Sequence, residues 1–191
     1  MQLCDGGSLA EDLARNGPMD EKRAAKVVHD TLRGLSFLHS HGMIHRDVKP
    51  ANILVHRDVF KLCDWIEEAE TGITDCRSAI GTPVFLAPEV VRTGRHVEAS
   101  DTWAVACTVV NLLTGNLPWE DEDNAFAAMF KIAHGRAPPY DEARMSGPVR
   151  RFLAACFEPD CCLRSSPRSL LAPGPLAAHG FWSELDLASL A

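Results

Sequence analysis

Two long stretches of helical periodicity enclose a single pair of short apolar runs, and this arrangement limits what the 191-residue chain can fold into. In the first stretch Ala24, Val27, Val28, Leu32, Leu35 and Leu38 recur at three- and four-residue spacing after Asp20. That pattern predicts an amphipathic helix stopped by Gly42. The second stretch runs from about Ser100 to Leu113, with Val105, Val109, Leu112 and Leu113 as its apolar stripe. Between them lie Ile53-Leu54-Val55 and Val59-Phe60-Lys61-Leu62-Cys63, which read as a β-hairpin turning around His56-Arg57-Asp58. Near the start, Ser8 and Glu11 stand at the spacing of a capping box, predicting a short helix to about Asn16 that Gly17-Pro18 ends. Weaker helical patterns fall at 122–134 and 146–157. In the tail Pro167, Pro173, Gly174 and Pro175 argue for little or distorted helix. The expectation is a mainly α fold with one small hairpin and no internal repeat.

Hydrophobic residues make up 46% of the chain, enough to bury a core and too many for a disordered segment. A formal net charge of −7 argues against a nucleic-acid binder, which would carry a basic patch. The seven cysteines are odd in number and contain no CxxC spacing, so neither a zinc site nor a disulfide framework is predicted. Reduced thiols in the cytosol or nucleus are the default, and a cytoplasmic location is the expectation. Met1 to Asp5 has no basic start and no apolar run. The stretch from Trp103 to Leu113 is shorter than the roughly 20 residues of a membrane span, so no membrane partner is expected.

The chemistry concentrates in His45-Arg46-Asp47-Val48-Lys49-Pro50-Ala51-Asn52. Phosphoryl transfer to a hydroxyl requires a carboxylate to orient the hydroxyl and accept its proton, a cation on the γ-phosphate, and oxygen ligands for magnesium. Asp47 is the candidate base and Lys49 the candidate cation. Asn52 and Asp64, the latter just past the hairpin, are the candidate metal ligands. Cys63 beside Asp64 is read as a small buried hydrophobe rather than a reactive thiol.

These residues resemble the eukaryotic serine/threonine protein kinase catalytic domain. His45 to Asn52 is similar to its catalytic loop and Asp64-Trp65-Ile66 to its DFG motif, and Ala87-Pro88-Glu89 matches its APE motif. Asp101-Thr102-Trp103 resembles the start of the helix whose aspartate braces the catalytic loop. Arg164 stands where the family places the arginine that pairs with the APE glutamate, here Glu89. Lys49 and Gly81-Thr82-Pro83 resemble the serine/threonine rather than the tyrosine branch. Cys4-Asp5-Gly6-Gly7-Ser8-Leu9, Thr108-Val109-Val110, Leu113-Thr114-Gly115 and Pro118-Trp119 look like the mitogen-activated protein kinase kinase kinase group.

The resemblance implies ATP and Mg2+ as cofactors and a protein substrate, with a downstream kinase as one such substrate. It implies that Gln2, Cys4, Ser8 and Leu54 border the nucleotide together with Lys49. It also implies that Arg46, helped by Lys61, pairs with a phosphorylated activation loop. Ser78 is the expected phosphosite there, with Thr71, Thr74 and Thr82 as rivals. Residues 1–183 are expected to form a hinge and C-terminal lobe, followed by a short tail at 184–191.

The sequence also departs from the family. It contains no glycine-rich loop and no strand lysine with its partner glutamate, so the expectation is a C-terminal lobe without its N-terminal β lobe. On that expectation the chain alone binds ATP poorly. Trp65 can still pack as a large aromatic beneath Asp64, but Ile66 replaces a glycine and resists positive φ. After Arg164 the chain reads Ser165-Ser166-Pro167, and His179-Gly180-Phe181-Trp182 arrives late. The rival readings are a pseudokinase or scaffold that binds without catalysis, and a small-molecule phosphotransferase. Against the second stand Gly81-Thr82-Pro83 and Ala87-Pro88-Glu89, which in the family form a peptide-substrate platform.

Overall fold

The computed structural model describes Cys4, residues 6–65 and residues 83–172. Among these are seven α-helices, α1 (Leu9–Asn16), α2 (Glu21–Ser40), α3 (Pro88–Thr93), α4 (Glu98–Thr114), α5 (Ala125–Ala133), α6 (Gly147–Cys156) and α7 (Pro167–Leu171), and two strands, β1 (Ile53–His56) and β2 (Val59–Leu62). Three 3₁₀ turns, at Pro50–Asn52, Pro83–Phe85 and Glu142–Arg144, complete the order.

The ends of the first helices follow from local chemistry. Ser8 Oγ accepts the Glu11 N–H while the Glu11 carboxylate accepts the Ser8 N–H, so two orphan donors of α1 satisfy each other. At the end of α2, Gly42 takes φ 72°, its N–H reaches His39 O at 3.0 Å, and the Met43 N–H reaches Leu38 O at 3.0 Å. This pair of bonds closes the helix through a left-handed residue that glycine adopts without strain.

The hairpin is tighter than expected. His56 pairs with Val59, so the turn is only Arg57-Asp58, with Arg57 at φ 55°. Asp30 of α2 accepts the Phe60 N–H at 3.1 Å and ties the hairpin to the helix beneath it. Burial alone would raise the Asp30 carboxyl, but the bonds from His29 and Phe60 and the Lys26 charge outweigh it and hold it low.

Helix α4 departs from the expected stripe, because every residue from Ser100 to Leu112 is buried. It packs against α2, α6 and the turn at Pro83–Phe85, so no face is left for water. A periodicity argument that assigns one face to solvent fails for a helix at the centre. The tail also corrects the expectation, since Pro167 begins a helix rather than preventing one. A proline in the first turn forfeits no intrahelical bond, and Ser166 Oγ caps α7 through Ser169 N at 3.1 Å. Leu170 is then buried in the main core with Trp103, Phe152 and Leu153.

A second, smaller cluster joins Leu9, Met19, Val27, Ile53, Phe60 and Leu112. It fixes α1 and the hairpin onto α2 and α4.

Candidate functional site

The hairpin register does the first part of the positioning. Ile53 pairs with Leu62, and the pairing continues one step outward, with Cys63 N–H donating to Asn52 O at 3.0 Å. Asn52 therefore lies opposite the residue that precedes Asp64. The loop from His45 to Asn52 enters this site from α2.

Asp101, near the start of α4, holds that loop. Its carboxylate accepts the backbone N–H of His45 at 2.9 Å and of Arg46 at 2.9 Å. Arg46 sits at φ 73°, a conformation that costs an L-residue roughly 1–2 kcal/mol. Two charge-assisted bonds to a carboxylate 1% exposed are sufficient to hold it there. His39 supplies the third bond, Nε2 to Asp101 Oδ2 at 2.8 Å. No spacing in the sequence signalled His39. Its role depends on α2 and α4 crossing at that point.

His45 joins the loop to the metal-ligand candidate. Its Nδ1 accepts the Asp47 N–H at 3.3 Å and its Nε2 faces the Cys63 carbonyl at 2.9 Å. The hydrogen-bonding pattern assigns the proton to Nε2, so the ring is neutral. Burial draws its pKa below the usual imidazole value, against the opposing pull of Asp101, the Cys63 carbonyl, Asp47 and Asp64.

Three candidate residues meet at one oxygen. Lys49 Nζ lies 2.7 Å from Asp47 Oδ2, and Asn52 Nδ2 lies 2.8 Å from the same atom and 2.8 Å from the Asp47 carbonyl. The Asn52 amide nitrogen is thus committed to Asp47, which leaves its oxygen as the end suited to a metal. The exposed Asp64 carboxylate stands at φ 59° one residue past Cys63. An amide oxygen and a carboxylate are hard donors of the kind magnesium prefers, so these two residues fit that ion.

Gly6 N–H donates to Val55 O at 3.1 Å and Val55 N–H to Gly7 O at 2.9 Å, which brings Ser8 and Leu54 together at one edge of the hairpin, while Cys4 lies near enough to Cys63 to raise its thiol. A Cβ on Gly6 would meet the Val55 backbone oxygen at 2.8 Å, so this approach needs glycine. Ser8 is already engaged as the cap of α1. Burial, the Asp64 charge and its hydrogen bond push the Cys63 thiol up to about 11. That makes it a poor nucleophile at neutral pH.

Trp65 corrects the sequence reading, for it is 49% exposed and does not pack beneath Asp64. The hairpin residues Ile53 and Phe60 belong instead to the smaller cluster, of which Trp65 is no member. Gln2, Ile66, Thr71, Thr74, Ser78, Thr82 and residues 173–191 lie outside the described residues.

Farther along, Arg164 Nη1 and Nη2 meet Glu89 Oε1 and Oε2 at 2.7 and 2.9 Å. Ser100 Oγ donates to Oε1 at 2.8 Å, and the guanidinium lies 5.1 Å from the Trp103 ring centre. Burial alone would raise the Glu89 carboxyl, but Arg164 and Ser100 outweigh it and hold it below the usual range. Neither Ser100 nor Trp103 was singled out for this pair by sequence.

Among the described residues no helix is long and apolar enough to cross a membrane. A family model described as the protein kinase domain matches residues 1–173. Cell division control protein 7 of Schizosaccharomyces pombe is 37% identical over 172 residues, covering 90% of this chain and 16% of that protein. Mitogen-activated protein kinase kinase kinase ANP1 of Arabidopsis thaliana is 33% identical over 197 residues, covering 100% of this chain and 29% of that protein. The chain therefore spans less than a third of either relative. Among solved structures, Rad53 1-466 in complex with AMP-PNP superimposes with a TM-score of 0.75 at 28% identity, covering 95% of this chain and 45% of that one.

Proposed function

From the premise that this chain belongs to the protein kinase domain family, we propose that its site serves transfer of the ATP γ-phosphate to a serine or threonine hydroxyl of a protein. The observation that carries the reading is the convergence of Lys49 Nζ and Asn52 Nδ2 on Asp47 Oδ2, at 2.7 and 2.8 Å. Magnesium-ATP, when bound, supplies the phosphoryl group and the cation that neutralises its charge.

Asp47 accepts the hydroxyl proton and aims the hydroxyl, with its free carboxylate rotation limited by Asn52. Lys49 exchanges its contact with Asp47 for one with the γ-phosphate. Asn52 and Asp64 turn oxygens to the metal. His45, held neutral, keeps the segment carrying Asp64 in register with the loop carrying Asp47. Arg46 pairs with the activation loop phosphorylated at Ser78, with Thr82 as a rival phosphosite, and the substrate is a downstream kinase in the cytoplasm. The catalytic unit is residues 1–183, with 184–191 as a tail.

The 191 residues do not contain the glycine-rich loop or the strand lysine of the family. As a purified chain they bind ATP weakly and turn over slowly. The test is a pair of assays with magnesium-ATP and serine/threonine peptides. One uses the chain alone. The other uses the chain joined to the N-terminal lobe of a related kinase. Expected is robust transfer only in the second, lowered by a factor of about 10² or more in Asp47→Asn. Full activity of Asp47→Asn, or an inert fusion that binds ATP, would sink the reading.

One observation favours a second reading. Trp65 is 49% exposed beside Asp64, an apolar surface suited to a binding module without catalysis. An inert fusion that also binds no ATP would support it.

A further inference from the structure

The turn between α6 and α7 carries two adjacent thiols and a carboxylate that the reading above does not use. Asp160, Cys161 and Cys162 present one oxygen and two sulfurs that all lie within 4.8 Å of one another. Asp160 and Cys162 are exposed and Cys161 is half-buried, so the three donors are open to solvent. The geometry points to a site for a thiophilic divalent cation of the zinc class, bound by Cys161 Sγ, Cys162 Sγ and the Asp160 carboxylate, with water completing the shell.

The distances suit this ion. Zinc binds cysteine sulfur at about 2.3 Å and carboxylate oxygen at about 2.1 Å, so tetrahedral donors stand roughly 3.8 Å apart or less. The donors stand within 4.8 Å of one another, an excess of about an ångström that side-chain torsions can close. Two thiolates and one carboxylate also match the ligand preference of zinc over magnesium or calcium, which favour oxygen alone.

The backbone holds the turn in shape independently of any ion. Leu163 and Arg164 N–H groups both donate to Asp160 O at 3.0 Å. Cys162 N–H donates to Asp160 Oδ1 at 2.9 Å, which orients the carboxylate and leaves its second oxygen for a metal. Two residues past Cys162 stands Arg164, whose Nε bonds Glu158 O at 2.8 Å and whose Nη atoms grip Glu89. A cation here staples the turn that presents that arginine.

Sequence reading missed the site because it sought CxxC spacing. Adjacent cysteines alternate in direction along an extended chain. Only the tight turn puts both sulfurs on one side with the carboxylate.

The test titrates Zn2+ into the metal-free 191-residue chain under reducing conditions, against a chromophoric chelator. Cys161→Ser/Cys162→Ser and Asp160→Asn variants run beside it, with circular dichroism as the control for folding. Expected is one equivalent bound. The double variant removes that binding, Asp160→Asn weakens it about tenfold or more, and Zn2+ raises Tm in the parent only. Should the double variant unfold, iodoacetamide labelling of the parent decides, and Zn2+ must protect Cys161 and Cys162. Equal binding by parent and folded double variant, no stoichiometric binding, indifference to Asp160→Asn, or no protection would each overturn the site.

Discussion

Arg164→Ala is the most informative single perturbation, because it leaves a buried carboxylate without its charge partner. The Arg164 side chain is 0% exposed and that of Glu89 9%. The substitution removes the two bonds to Glu89 at 2.7 and 2.9 Å, and those to the carbonyls of Ala99 and Glu158 at 2.9 and 2.8 Å. Ser100 Oγ then remains as the neutral donor on Glu89. Breaking a buried pair from one side costs about 3–5 kcal/mol, against about 0–1 for a surface pair. For a domain of this size that is a Tm decrease of about 6–20 °C.

The pH dependence supplies a second check. Glu89 titrates below the ordinary glutamate value when folded, so its contribution is present above about pH 4.3 and is lost as pH falls through the lower folded value. In Arg164→Ala that acid-side loss disappears along with the stability. Arg164→Met with Glu89→Leu should recover part of the loss, since two apolar residues leave no unpaired charge. Thermal and urea unfolding from about pH 2 to about pH 8 measure all three. A decrease below about 1 kcal/mol in Arg164→Ala would refute the argument that the pair is desolvated.

Three further outcomes follow from the geometry. Gly6→Ala forces a Cβ to 2.8 Å from Val55 O and should lower stability by about 1–3 kcal/mol in urea unfolding; a neutral result would mean the N-terminal edge is not docked. His45 stays neutral when folded but protonates when unfolded, so stability should fall as pH drops below about 6.5. His45→Gln should flatten that part of the profile, and an unchanged profile would count against the buried neutral ring. Cys63, raised to about 11, should react with iodoacetamide at pH 7.5 at least about tenfold more slowly than a free thiol, read by peptide mass spectrometry. Rapid labelling would contradict its placement.

Much of the site was legible because its spacings are local. Ser8 and Glu11 are three residues apart, as are the two partners of any capping box, and a turn of helix brings them together. Lys49 and Asn52 follow Asp47 by two and five residues, close enough for one short loop and a 3₁₀ turn to gather them. The hairpin register carried Asp64 to the same place. The expectations that failed concerned surroundings. The α4 stripe failed because faces are assigned by neighbours, and Trp65 failed because it is 49% exposed and joins none of the buried clusters among the described residues. Pro167 was misread because a breaker inside a helix is harmless at its first turn.

By itself, then, the sequence determined five of the seven described helices and the hairpin, the loop from His45 to Asn52, and the kind of chemistry those residue types perform. All are written in separations of a few residues, where chain geometry leaves little freedom. Tertiary structure makes the long-range partnerships, of which the family resemblance implied the Asp101 brace and the Arg164–Glu89 pair but no local spacing did. Asp101 reaches back 55 and 56 residues to two backbone N–H groups, His39 reaches Asp101 across 62, and Arg164 closes on Glu89 across 75. Those partners are chosen by helices crossing in three dimensions. Burial makes the choice binding, because a charge or a strained residue taken out of water must find its partner there or the fold does not hold.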